Sequence, residues 1–196
     1  MISNPALKDV ITMTAMDVIL GLLHARPFTG YEIKHAFQAQ FSYFFDASFG
    51  TIYPTLGKME QLGYITKESI PQDNRPVKHV YSLTDKGREQ FKNYLDSPLE
   101  AEAFRSDFLV RLVFGEHQKP DIVIRMIEDN IQAVRAKLSD LEEKKRLFCD
   151  GMSQTRQIVL NMGIETSKAR LRVLEEGLSM LKANVAGDRR SGSERV

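Results

Sequence analysis

The sequence predicts a mainly α fold with a small two-stranded β-wing, followed by a coiled-coil-like helical domain. Three observations carry that reading. Apolar residues recur at spacings of three and four up to Leu62, and the period changes to two between Tyr64 and Leu83. The second half then returns to helical spacing with no strand signal. The expected boundaries are 1–98 for the first domain and 99–185 for the helical domain. Residues 186–196, rich in Gly, Ser and charge, are expected to be a disordered tail.

The first helix is expected from about Thr12 to Ala25. Ala15, Val18 and Leu22 make one stripe, and Ile19, Leu20 and Leu23 widen it, as suits a helix buried on several sides. Pro27 ends it, because the residue before a proline is pushed out of helical geometry. Gly30 precedes a second helix, Tyr31–Phe41, with Ile33, Phe37 and Phe41 at spacings of four. A third helix lies between Ser48 and Leu62, with Ile52, Leu56 and Met59 on one side and Pro54 confined to its first turn. Gly63 stands where a left-handed cap is needed.

Tyr64–Glu68 and Lys78–Leu83 read as two strands, with Pro71, Asp73, Asn74 and Pro76 in the turn between them. Thr84 is the expected N-cap of a fourth helix containing Gly87, Phe91 and Leu95. Helix–helix–helix–strand–strand–helix is the order of a winged helix-turn-helix. Further on, Phe104, Phe108, Leu109, Leu112 and Val113 give a short amphipathic helix ending at Gly115. Pro120 and Asp121 open a long one. Ile124, Ile127, Ile131, Val134, Leu138 and Leu141 form its seam, and Leu171, Leu174, Leu178, Leu181 and Val185 form that of a last helix. Both seams follow the 3.5-residue repeat of a coiled coil. Lys145 interrupts the first, and Gly151 with Ser153-Gln154-Thr155 separates the two helices.

Composition narrows the function. The 196 residues are 42% hydrophobic and 27% charged with a net charge of +1, so any binding of a polyanion must come from local placement of charge. One cysteine, Cys149, excludes an intrachain disulfide and a zinc ribbon. Met1–Lys8 lacks the pattern of a signal peptide, and the early apolar run Val18–Leu23 is too short to span a membrane. A reduced, cytoplasmic protein is the expectation. His24, His35, His79 and His117 are scattered singly, and no Gly-rich phosphate loop or nucleophile turn occurs. No enzyme, metal or cofactor is expected.

Ser48-Phe49-Gly50-Thr51-Ile52-Tyr53-Pro54-Thr55-Leu56, with Met59-Glu60-Gln61-Leu62-Gly63-Tyr64-Ile65, resembles the third-helix signature of PadR-type transcriptional regulators. Arg75-Pro76 and Val80-Tyr81-Ser82-Leu83-Thr84-Asp85-Lys86-Gly87 are similar to that family's wing and following helix. Phe108–Phe114 and the long helices resemble the dimerisation domain of its longer members, so the likeness covers about residues 10–185. The resemblance implies a dimeric DNA-binding regulator, often a repressor of a neighbouring gene and in some members released by a phenolic or other aromatic compound. The chain has no Trp, so a Trp used for stacking in short, drug-sensing relatives has no counterpart.

A helix entering the major groove needs small or hydrogen-bonding residues at its leading end. Ser48, Gly50, Thr51, Tyr53, Pro54, Thr55 and Lys58 are the candidates there, and Lys67, Arg75, Lys78 and His79 are those of the wing. Ile127, Ile131, Val134, Leu138, Leu141, Leu171, Leu174, Leu178 and Leu181 are the expected dimerisation residues. The expected partners are double-stranded DNA with a pseudo-palindromic operator and a second copy of the chain. A small-molecule effector wedged beside the first helix could change the separation of the two reading heads, with Tyr94, Phe104 and Phe108 able to line such a pocket. Two alternatives remain: an activator of the same fold, and a protein–protein interaction module that binds no DNA.

Overall fold

A computed structural model of the chain describes residues 13–41, 44–45, 51–72, 75–102 and 104–193. It divides between Ala103 and Phe104 into two units. In the first, helix α1 spans Ala15–Ala25. Its first turn is closed by Asp17, whose carboxylate accepts from the Thr14 backbone N–H and hydroxyl, both at 2.8 Å. Those bonds let a carboxylate stand only 4% exposed at the edge of an apolar core.

After Pro27 the chain makes a two-residue strand, β1 (Phe28–Thr29), and enters α2 (Gly30–Ala36). Thr29 and Glu32 form a capping box. The Glu32 N–H donates to the Thr29 hydroxyl at 3.2 Å, and the Glu32 carboxylate accepts from the Thr29 N–H at 2.8 Å. The Thr29 N–H, more than its hydroxyl or Arg26 at 3.1 Å, holds the Glu32 carboxyl below its ordinary pKa against the opposing effect of burial. The second helix continues as a wider π-helical turn over Phe37–Phe41 instead of one uninterrupted α-helix. Phe37 packs against both Phe41 and Phe45, at ring separations of 5.9 and 6.1 Å.

Helix α3 spans Ile52–Gln61. Gly63 ends the turn after it at φ 74°, a conformation L side chains resist. The hairpin that follows is longer than its alternation suggested: β2 covers Ile65–Gln72 and β3 Arg75–Leu83. Pro71 and Pro76 therefore lie within strands, where a break of register between Ile70 and Gln72 accommodates them. The sheet has three strands in the order β1-β3-β2, all antiparallel, with Phe28 opposite Tyr81 and Ile65 opposite Leu83. The expected two-stranded ribbon thus gains β1, which two residues are too few to announce by period.

Helix α4 (Asp85–Leu95) is capped by the Thr84 hydroxyl, which accepts from the Gly87 N–H at 3.1 Å. The same hydroxyl lies 2.7 Å from the Gly63 carbonyl, and Lys86 Nζ donates to the Leu62 carbonyl at 2.8 Å. Thr84-Asp85-Lys86-Gly87 therefore ties the end of α3 to the start of α4. A Cβ on Gly87 would stand 2.1 Å from the Tyr64 carbonyl oxygen, which explains the glycine. Ile19, Leu20, Ile33, Ile52, Leu56 and Met59 form the deepest part of this unit's core. Each such burial stabilises by about 1.5–3 kcal/mol.

The second unit is helical. The short α5 (Asp107–Val113) is capped by Ser106, whose hydroxyl accepts from the Leu109 N–H at 3.2 Å. Phe104 thus precedes the helix it was expected to join. Pro120 opens α6 (Pro120–Phe148), and a tight turn at Cys149–Gly151 leads to α7 (Gln154–Ser193). The pairs Glu128–Lys182, Arg135–Glu175 and Glu142–Lys168 run in opposite order along the two helices, so these pack antiparallel. Lys145, which interrupts the seam, is exposed and reaches Asn161 at 2.8 Å. The backbone of α7 runs as helix to Ser193, through the stretch from Ala186 expected as a tail. No proline interrupts the stretch.

Candidate nucleic-acid interface

Helix α3 has two chemically distinct sides. Ile52, Leu56 and Met59 are 1% exposed or less and fix the helix to the core. Thr51, Tyr53, Pro54 and Lys58 are exposed on the other side, and Thr55 is half-buried beside them. Pro54 is the third residue of the helix, where a missing N–H removes no intrahelical bond. The Thr55 hydroxyl donates to the Thr51 carbonyl at 2.7 Å, which fixes its rotamer and leaves its oxygen lone pairs and methyl to meet a ligand. Ser48 and Gly50 lie outside the described residues.

Tyr53 is 58% exposed, yet one edge of its ring is seated on the start of α2. A Cβ on Gly30 would come 2.7 Å from Tyr53 Cε1. Gly30 read in the sequence only as a residue preceding a helix. Its task of leaving room for an aromatic ring more than twenty positions away has no local signal. Tyr81 lies near this contact on β3, and burial, then the Glu60 carboxylate and Tyr53, raise its pKa. It is 6% exposed and belongs to the core.

The wing carries its polar groups on both faces. Cross-strand partners share a face, so the pairs Lys67–Tyr81 and Ser69–His79 lie on one and Ile70–Lys78 on the other. Lys67, Lys78 and His79 are all exposed. His79 Nδ1 is 3.0 Å from the Ser69 hydroxyl, which orients the ring. Arg75 is the first residue of β3, opposite Gln72. The ribbon therefore presents cations to either side.

In the second unit the seam residues expected to face a partner pack within the chain's own hairpin. Ile127, Ile131, Val134, Leu141 and Leu174 are buried there. Leu138 is half-buried, and Leu171, Leu178 and Leu181 pack partly buried against the cluster. A heptad pattern does not say which helix fills the facing holes. Phe108 joins the same core beneath Arg170, whose guanidinium carbon is 5.6 Å from the ring centre. Tyr94 stacks on Phe91 within the first unit, while Phe104 is 76% exposed. Along α7, however, Ile158, Met162, Val173 and Met180 remain exposed.

Among the described residues, no group of three or more His, Cys, Asp or Glu stands together as a metal site. Within those residues, no helix is long and apolar enough to cross a membrane.

Comparison with known proteins gives two family matches. The transcriptional regulator PadR-like family model matches residues 19–93, and the virulence activator alpha C-terminal model matches residues 104–182. The negative transcriptional regulator PadR of Bacillus subtilis is 30% identical over 173 residues, covering 83% of this chain and 94% of that protein. A PadR-like transcriptional regulator from Bacillus cereus is similar in structure, with TM-score 0.79 and 37% identity over 87% of this chain and 99% of that one. Bacillus subtilis PadR in complex with operator DNA is similar with TM-score 0.73 and 27% identity, over 85% of this chain and 96% of that one.

Proposed function

The chain belongs to the PadR-like family of DNA-binding transcriptional regulators, not enzymes, and from that premise we propose a homodimer that represses a gene near its own by occupying a pseudo-palindromic operator. The observation that carries the proposal is the two-sided character of α3. Its apolar stripe is locked in the core, while Thr51, Tyr53, Thr55 and Lys58 lie beside a ribbon bearing Lys67, Lys78 and His79. Helix α3 enters the major groove, where Thr51 and Thr55 meet base edges and Tyr53 meets the backbone. The wing, with Arg75 at its tip, follows the phosphates beside it. Repression is the direction favoured by the likeness to a negative regulator, and activation is the alternative.

Dimerisation belongs to the helical unit. The seam residues hold each hairpin together, and Ile158, Met162, Val173 and Met180 on α7 turn to the second copy. Two reading heads then meet half-sites about 34–36 Å apart or a multiple of that. The protein works in the cytoplasm, and a small-molecule effector acts by changing the spacing of the heads.

Equilibrium binding to the duplex upstream of its own gene tests the proposal. With about 6–10 phosphate contacts, affinity falls by about 10³–10⁵ between 50 and 200 mM salt. Tyr53→Ala and Lys58→Ala lose binding while keeping the fold and the dimer. Salt-independent binding, or unchanged binding by both variants, supports the interaction-module reading instead.

A further inference from the structure

We propose that the DNA-contacting surface extends from α3 onto the outer face of α2, where Tyr31 and His35 contact backbone phosphates beside the groove that α3 enters. The inference rests on the DNA-binding reading and adds residues that reading does not use.

Three observations carry it. The exposed ring of Tyr53 is seated on Gly30, so the groove-facing side of α3 and the leading end of α2 form one continuous surface, with Tyr31 the next residue along it. Helix α2 spends Ile33 and Ala36 on the core, as the turn after it spends Phe37, each 8% exposed or less. Tyr31 and His35 stand on its opposite side, both exposed, Tyr31 to 65%. Their rings meet edge to face with centroids 4.6 Å apart, which holds two large hydrogen-bonding side chains toward solvent in a fixed arrangement.

The core does not require that arrangement, since a tyrosine 65% exposed buries little apolar area. Duplex DNA does use it. In a helix-turn-helix the helix before the recognition helix crosses the sugar–phosphate backbone. A phenolic hydroxyl and an imidazole N–H are both suitable donors to phosphate oxygens. Such contacts set the protein's register on the duplex and carry no sequence information of their own. The two residues therefore position α3 and do not read bases.

The test uses the full-length chain and two labelled duplexes, one recovered by the wild-type protein from a random-sequence pool and one of scrambled sequence. Tyr31→Phe removes only the hydroxyl, and His35→Ala removes the ring. Each is expected to lower affinity about tenfold, as for loss of a hydrogen bond to a charged group. The loss is equal for both duplexes, so the preference for the selected sequence is kept. Thermal midpoints stay at the wild-type value. Wild-type affinity in both variants overturns the inference, and so does a loss confined to the selected duplex, which would mean base reading. If one variant lowers the midpoint, the other decides. A wild-type chain that prefers no duplex removes the DNA-binding reading itself, an outcome distinct from either.

Discussion

Gly30 and Glu32, two residues apart, show how differently single positions act in this fold. At Gly30 a methyl group meets the Tyr53 ring at 2.7 Å, and because Tyr53 is largely exposed the ring can swing away. Gly30→Ala is therefore expected to leave thermal stability near the wild-type value while displacing Tyr53, the side chain proposed to meet DNA. Affinity for the upstream duplex falls about fivefold, the equivalent of one hydrogen bond of about 1 kcal/mol. A binding titration beside a thermal melt separates the two effects. At Glu32 the role is structural. Its carboxyl pKa is lowered in the folded chain by the Thr29 N–H, so its contribution is fully present above the ordinary Glu pKa and is lost as pH falls through the lowered value. Denaturation followed between pH 6 and 3 should show a shallower acid limb for Glu32→Gln than for the wild-type chain. Identical limbs would mean the capping box adds nothing that titrates.

At the scale of elements, the legible parts were those whose cause is local. The stripe Ile52–Leu56–Met59, the left-handed Gly63, the Thr84 cap and the Pro120 helix start each follow from a short run of residues, and the structure has all four. The illegible parts depend on distant partners. Strand β1 exists because Phe28 finds Tyr81, and β2 runs through Pro71 because a break in register removes the demand for its N–H. The seams of α6 and α7 were visible, but which surfaces they fill was not, since a sister helix and a partner helix present the same holes. For the site, the exposed side of α3 could be read from its spacing, whereas the seat of Tyr53 on Gly30 could not. Leu56→Ala should cost about 2–5 kcal/mol in urea denaturation, because it opens a cavity under α3. Lys58→Ala, on the exposed side, should change stability by no more than about 0.5 kcal/mol and weaken DNA binding.

For the whole molecule, a net charge of +1 is compatible with a DNA-binding role because charge can be placed locally, as Lys58 is on α3 and as Lys67 and Lys78 are on opposite faces of the ribbon. Two-fold symmetry then multiplies a modest single interface. If α7 supplies the contact between copies, Val173→Asp combined with Met162→Asp should convert the dimer to a monomer with intact helicity, as read by sedimentation and circular dichroism. Duplex affinity should fall with it, since one head then binds without the other. The most direct measurement is hydroxyl-radical footprinting of the full-length chain on the DNA upstream of its own gene. Two protected half-sites related by a dyad are expected, about 34–36 Å apart or a multiple of that. A single unpaired footprint, or no protection at any salt concentration, would contradict that expectation.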